Sequence, residues 1–143
     1  MTAEAPLTHR LIDSCYTEAM LLADEARAVF EYHRSGPMSP LQALAFSCES
    51  LKATTRIMHC IAWLLHRKAI AAGEVPESRA EALGYAPATD GEQLPLLAED
   101  IRGVILASDD LYFRLHRLAA RIERTVPPPP PVHELIARIA NAF

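Results

Sequence analysis

Apolar and polar positions alternate along the chain with the period of an α-helix, and the longest such stretch is central to the fold. It runs from Ser39 to Gly73, and no glycine or proline lies between Pro40 and Gly73. Ser39, Pro40 and Gln42 have the spacing of a capping box with proline at the first helical position. Gly73 is suited to the left-handed conformation that ends many helices. The pattern predicts one helix of about 50 Å.

Two apolar stripes lie on different faces of this predicted helix. The first places large side chains every seven residues with small ones between them: Leu44, Leu51, Met58 and Leu65, with Cys48, Thr55, Ala62 and Ala69. The second consists of Phe46, Ala53, Ile57, Cys60, Ile61 and Leu64. A helix with two apolar stripes is expected between neighbours, from this chain or from a second copy. The surplus apolar surface predicts a homodimer with this helix in the interface, and we place it around Phe46, Ile57, Cys60 and Leu64.

Two further helices flank the central one. The first is expected from Thr8 to about His33, after a frayed segment from Met1 to Leu7. Its predicted buried stripe is Leu11, Cys15, Ala19, Leu22, Ala26 and Val29. The third is expected from near Leu94 to about Thr125, and its apolar seam alternates steps of three and four. The seam residues are Leu97, Ile101, Val104, Ser108, Leu111, Leu115, Leu118 and Ile122.

The remaining segments are a connector and a tail. In the connector, Pro76 to Gly84 predicts a two-turn helix and Tyr85 to Gln93 a loop. Five prolines from Pro127 to Pro131 predict a stiff spacer of about 15 Å. The tail after them predicts a short amphipathic helix with Val132, Leu135, Ile136, Ile139 and Phe143 on one face.

The fold class is therefore all-α, an antiparallel three-helix bundle with a long central helix and a short C-terminal helix after the spacer. The expected organisation is a bundle domain over 1–126, a linker over 127–131 and a tail helix over 132–143.

Composition narrows the classes of function. The 143 residues carry a net charge of −4, which argues against non-specific binding to nucleic acid. No apolar run approaches the length of a membrane span and no signal peptide is recognised, so we expect a cytoplasmic protein. The three cysteines lie on apolar helix faces, where free cysteine acts as a small hydrophobe.

Motifs that carry chemistry are missing from the sequence. No two of the six histidines are four residues apart, and His59 and His66 are separated by about 10.5 Å along their helix. We find no phosphate-binding loop, nucleophile elbow or pair of helical carboxylates. We therefore expect no enzyme activity, no metal and no cofactor.

Three sets of residues are candidates for protein binding. A line on the central helix combines polar residues with the sole tryptophan: Glu49, Lys52, Arg56, His59, Trp63 and His66. Trp and Arg are enriched at binding hot spots, whereas the alternative places Trp63 in the core and gives Arg56 a local ion pair. The third helix carries a basic ribbon, either a partner surface or a solvated face: Arg114, Arg117, Arg121 and Arg124. The tail offers Leu135, Ile136 and Ile139 as a helix-in-groove ligand, and its alternative is an inert terminus.

A dense run in the central helix resembles the regulator of CtrA degradation family of alphaproteobacteria. The resembling residues are Glu49 to Lys52, Thr54 to Met58, Trp63 to Leu65, Lys68 to Ile70, and Gly73 with Glu74. The resemblance implies a homodimeric three-helix bundle without enzyme activity. It also implies an adaptor that binds the ClpX component of the ClpXP protease primed by the response regulator CpdR, and that tethers cargo proteins for degradation.

Two other classes of function stay open beside this adaptor. One is a dimeric helical module with a regulatory or structural role and no protease partner. The other is a helical bundle that binds or transforms a small molecule, for which a buried polar pocket would be the sign.

Overall fold

The structure is a computed structural model that describes residues 4–125 and 132–142. It contains four α-helices: α1 (Glu4–Arg34), α2 (Pro40–Ala71), α3 (Glu99–Thr125) and α4 (Val132–Ala142). The first three pack against one another as a bundle, and no strand occurs in the described ranges. The predicted all-α fold class with a long central helix is confirmed.

The ends of α2 are those that its sequence predicts. Ser39 Oγ accepts a hydrogen bond from the Gln42 backbone N–H at 3.2 Å, and Gln42 Oε1 accepts one from the Ser39 N–H at 3.1 Å. Gly73 has φ +80°, and the N–H of Glu74 donates to the Ala69 carbonyl at 3.0 Å. Both ends are closed by local hydrogen bonds, which is why the sequence alone locates them.

The start of α1 differs from the prediction. The helix begins at Glu4, so the expectations that Met1 to Leu7 are frayed and that Thr8 caps the helix are wrong from Glu4 onward. Pro6 lies in the first turn, where its missing N–H removes no helical hydrogen bond. Residues 1–3 lie outside the described ranges.

The connector between α2 and α3 holds less helix than predicted. In place of two turns over Pro76 to Gly84 there is one 3-10 turn, Glu77–Arg79. A second 3-10 turn, Leu94–Leu96, precedes α3, which therefore starts at Glu99 rather than near Leu94. Leu97 is extended between the two elements, so the helical pattern breaks there.

Directions within the bundle follow from contacts between helices. Phe30 near the end of α1 stacks edge-on against Phe46 near the start of α2, with ring centroids 5.8 Å apart. His33 at the end of α1 bonds Asp100 at the start of α3. Helix α1 is therefore antiparallel to both α2 and α3, whereas α2 and α3 run parallel to each other. The antiparallel arrangement expected from the sequence thus holds for α1 with each neighbour but not for α2 with α3.

The core lies between the inner faces of the three long helices. The second apolar stripe of α2 lines it, with Ala53, Cys60 and Leu64 fully buried. Most of the predicted seam of α3 is buried as well, including Ile101, Val104, Ser108, Leu111 and Leu115. On α1, Ile12 and Phe30 are buried, whereas Leu11 of the predicted stripe is exposed.

The described residues of α4, Val132–Ala142, are all exposed. The predicted spacer from Pro127 to Pro131 and the last residue, Phe143, lie outside the described ranges. The division of the chain at 126 and 131 stays a prediction.

Candidate functional site

The polar line of α2 faces the chain's own connector. Glu49 is fully buried, and its carboxylate accepts hydrogen bonds from Lys52 Nζ at 3.0 Å and from the Asp90 backbone N–H at 3.3 Å. A buried carboxylate is stable only when it is paired in this way. Glu49 therefore holds the connector and is not at a free surface.

Arg56 is the centre of this arrangement and is 1 % exposed. Its Nε donates to Ser108 Oγ at 3.1 Å and lies 3.2 Å from Asp109 Oδ1, while Nη1 donates to the Pro87 carbonyl at 2.8 Å. Burial lowers the pKa of Arg56, and the carboxylates of Asp109 and Glu49 oppose that change. Among the residues that the structure describes, none forms a hydrogen bond with the buried Nη2. One side chain thus joins α2, α3 and the connector.

Further contacts hold the part of the connector that precedes Pro87. His66 Nε2 is 2.9 Å from the Arg79 carbonyl, and Arg67 forms an ion pair with Glu77 at 3.0 Å. The hydroxyl of Tyr112 donates to the Gly84 carbonyl at 2.8 Å. Backbone groups of Gly84, Ala86, Pro87 and Asp90 are therefore bonded to side chains of α2 and α3.

His59 and Trp63 complete the line. The His59 ring packs against Gly84 so closely that a Cβ added there would lie 3.0 Å from His59 Nδ1. Trp63 is 5 % exposed and belongs to the hydrophobic core. The structure thus shows the alternative in which Trp63 is core and Arg56 has an intrachain ion pair. The prediction that Glu49, Arg56 and Trp63 form a binding surface is corrected here, because all three are buried.

Asp109, Tyr112 and the backbone of Pro87 are structural partners that the sequence does not reveal. Asp109 and Pro87 contact Arg56 of α2, and Tyr112 contacts the connector at Gly84. Each contact spans tens of residues, so no local pattern signals it. Ser108 gave the one available sign, since a hydroxyl in an otherwise apolar seam calls for a hydrogen-bond partner.

The predicted basic ribbon of α3 divides into two parts. Arg114 is paired across the bundle with Glu18 of α1 and within α3 with Asp110, and these carboxylates raise its pKa. Arg114 is therefore a structural link and not a free partner contact. Arg117 and Arg121 are exposed, as is Arg124.

The first apolar stripe of α2 is on the outside of the bundle. Its four large residues expose about half or more of their surface: Leu44 62 %, Leu51 66 %, Met58 63 % and Leu65 48 %. The surplus apolar surface of α2 is thus present, but it lies on the first stripe and not on the second, where it was expected. Phe46, Ile57, Cys60 and Leu64 are buried within the chain.

A shallow groove of about 560 Å³ lies between α1 and α3. Its lining combines apolar side chains, two hydroxyls and two carboxylates: Ser14, Thr17, Glu18, Leu21, Leu22, Glu25 and Ala107. None of them is a site residue predicted from the sequence. It is an open surface groove and not the buried polar pocket that a small-molecule site would need.

The tail helix presents an apolar face without a partner in the described structure. Leu135, Ile136 and Ile139 are 42–61 % exposed. This is where the sequence analysis placed a docking ligand, and the structure leaves it accessible.

Reactive side chains are poorly placed for chemistry. Burial raises the pKa of the Cys60 thiol to about 12, whereas a nucleophilic cysteine needs a lowered pKa. Cys15 is buried too, and Cys48 is exposed on α2. Within residues 4–125 and 132–142, no three His, Cys, Asp or Glu side chains cluster in a way that would hold a metal ion. None of the helices described there is long and apolar enough to cross a bilayer.

Comparisons with known proteins identify a matching family and one solved structure with a similar fold. A family described as "Protein of unknown function (DUF1465)" matches residues 3–143. The crystal structure of RcdA from Caulobacter crescentus CB15 superposes with a TM-score of 0.64 at 27 % sequence identity, covering 85 % of this chain and 97 % of that chain. No curated protein matches this sequence.

Proposed function

The chain belongs to the family described as protein of unknown function DUF1465 and has an RcdA-like fold, and from this premise we propose that it is an adaptor in regulated proteolysis. The resemblance of its central helix to the regulator of CtrA degradation family is confirmed at the level of the family. The observation that carries the proposal is the likeness to RcdA over nearly the whole of that chain.

The proposed adaptor works by contact rather than by catalysis, in the cytoplasm. It binds ClpX together with the response regulator CpdR and presents cargo proteins to the ClpXP protease. The distribution of ionisable and apolar side chains supports a protein that acts by contact. The ionisable residues of the interior are used to hold the connector, and the apolar residues of α2 and α4 stand on the surface.

Two surfaces are proposed for partner proteins. Arg117 lies over the exposed ring of Phe113, with Cζ 5.6 Å from the ring centroid, and Arg121 is exposed one turn further on. Arginine and aromatic side chains are the residues enriched at binding hot spots. The second surface is the apolar face of α4, which has the spacing of a helix that binds in a groove.

The adaptor is also proposed to be a homodimer. Solvent-exposed apolar side chains at regular helical spacing usually mark an interface, and α2 has such a row along most of its length. A symmetric dimer would present each partner surface twice.

The test of the proposal is capture of partners by the tagged full-length chain. Capture of ClpX that requires CpdR supports the adaptor. Replacing Arg117 and Arg121 by Glu is expected to abolish capture, whereas the matched exposed pair Arg34→Glu with Arg79→Glu is expected to keep it. A well-folded dimer that captures neither ClpX nor CpdR would instead support the alternative, a regulatory or structural helical module without a protease role.

A further inference from the structure

The solvent-facing side of α2 differs from that of its neighbours in charge. Every residue of α2 classed as exposed is uncharged, and its Glu, Lys and Arg residues all lie at partly or fully buried positions. The exposed sides of α1 and α3, in contrast, carry charges such as Asp24, Arg27 and Glu123. Depletion of charge together with exposed Leu and Met is the composition of an interface core.

Side-chain size along this face is ordered as well. Large residues recur every seven positions at Leu44, Leu51, Met58 and Leu65. Small residues recur every seven positions at Cys48, Thr55, Ala62 and Ala69. The steps between them alternate three and four, which is the seam of a two-helix coiled coil.

We propose that a second copy of the chain packs on this face with its α2 antiparallel to the first. The inference rests on the proposed homodimer and names its surface and register. In the register that sets each large side chain against a small one, the pairs are Leu44 with Ala69, Leu51 with Ala62, Met58 with Thr55 and Leu65 with Cys48, the second of each pair from the partner subunit. The two-fold axis crosses this face at a level midway between residues 56 and 57.

Symmetry makes this register self-consistent. A two-fold interface brings the same patch of both subunits together, so a residue that faces its partner must be faced in return. The two series meet this condition along their whole length, because each large residue and its small partner are equally far from the axis on opposite sides. Small residues opposite large ones let the two helices interlock without voids.

Length favours a second α2 over the chain's own tail as the occupant. From Leu41 to Ala69 the face spans about 42 Å, whereas the 11 residues of α4 span about 16 Å. The tail helix would cover little more than a third of the exposed row. A second α2 covers all of it and buries on the order of 1,000 Å² in total, which is about the lower limit for a specific interface.

The first experiment compares two exposed leucines on the full-length chain by light scattering at micromolar concentration. Wild type is expected at twice the chain mass of 15.8 kDa. Leu51→Glu is expected at the mass of one chain, because it places a carboxylate against its partner's Ala62. The control, Leu21→Glu, changes a leucine of equal exposure on α1, 65 % against 66 %, and is expected to stay dimeric. Circular dichroism checks that helicity is unchanged in both variants.

The second experiment uses the native Cys48 to test direction and register. Under mild oxidation Leu65→Cys is expected to form a disulfide-linked dimer with Cys48 of the partner subunit, and Leu65→Cys with Cys48→Ser is expected to form none. In the proposed register two Cys48 residues are about 25 Å apart, too far for a disulfide, so wild type is not expected to cross-link.

Each other outcome overturns the inference in a distinct way. Cross-linking of wild type through Cys48 would show parallel pairing or a different antiparallel register, and a dimeric Leu51→Glu would show that another surface is used. Either result leaves the proposed adaptor intact. A monomeric wild type would overturn the dimer and its interface together, while capture of ClpX with CpdR tests the adaptor separately.

Discussion

Arg56 of α2 donates a hydrogen bond to the carbonyl of Pro87, 2.8 Å away and 31 residues later in the chain. This contact fixes the path of the connector, which returns along α2 and lets α3 run parallel to it. The polar line of α2 therefore binds the connector. The same role explains why the charged residues Arg56 and Glu49 are both buried on this helix.

Replacing Arg56 by Ala is expected to lower the free energy of unfolding by about 3 kcal/mol, because it removes the ion pair of Asp109 and the hydrogen-bond donor of the Pro87 carbonyl. Asp109 keeps its hydrogen bond from Thr89 Oγ1. Asp109 is one-third exposed, which places the loss at the low end of the range for a buried ion pair. Arg56→Lys keeps the charge but cannot reach Ser108 and Pro87 together, so an intermediate loss is expected. Urea denaturation measures both, and an Ala variant as stable as wild type would contradict the role.

Gly84→Ala is expected to destabilise by about 1–3 kcal/mol, since the new methyl group would press on the His59 ring at 3.0 Å. Gly91→Ala is the matched control in the same connector, because nothing lies within 4 Å of its added Cβ. It is expected to change the unfolding free energy by less than about 0.5 kcal/mol. Equal stability of the two variants would show that the connector does not pack against His59.

The contact between His33 and Asp100 is expected to make stability depend on pH in the acid range. His33 Nε2 donates to the Asp100 carboxylate at 2.8 Å, and this bond lowers the pKa of Asp100 below its ordinary value. Because the folded pKa is the lower one, the unfolded chain binds more protons. The stabilisation is then full above the unfolded pKa of about 3.9 and is lost as pH falls through the folded pKa.

Asp100→Asn removes this titration, so its unfolding free energy is expected to fall less than that of wild type as the pH drops from 6 to 3. The difference is expected to be below about 1 kcal/mol, because the carboxylate is half exposed. Thermal denaturation over that pH series measures it. Parallel curves for the two proteins would exclude the coupling.

Replacing Leu135, Ile136 and Ile139 together by Ser is expected to leave the melting temperature unchanged and to abolish capture of a partner. The reason is that these side chains are exposed in the structure and contribute surface rather than core. A control on the polar side of the same helix is His133→Ser with Glu134→Ser. A lowered melting temperature of the triple variant would show instead that the tail docks on the bundle.

The ends of α2 and the apolar seam of α3 could be predicted because they depend on residues a few positions apart. Ser39 with Gln42 closes one end of α2 through hydrogen bonds within one turn, and Gly73 closes the other with its positive φ. Such contacts form whatever the rest of the chain does, and the resemblance to a known family rested on the same local run of residues.

Which stripe of α2 is buried could not be read in this way, because Leu51 and Ile57 are equally apolar in sequence. The tertiary structure decides it: α1 and α3 cover the face of Ile57, and the returning connector occupies the side of Arg56. Leu51 is left outside because no described segment of the chain reaches it. Helical periodicity is a local property, whereas burial depends on which distant segments arrive, and that is fixed only when the chain has folded.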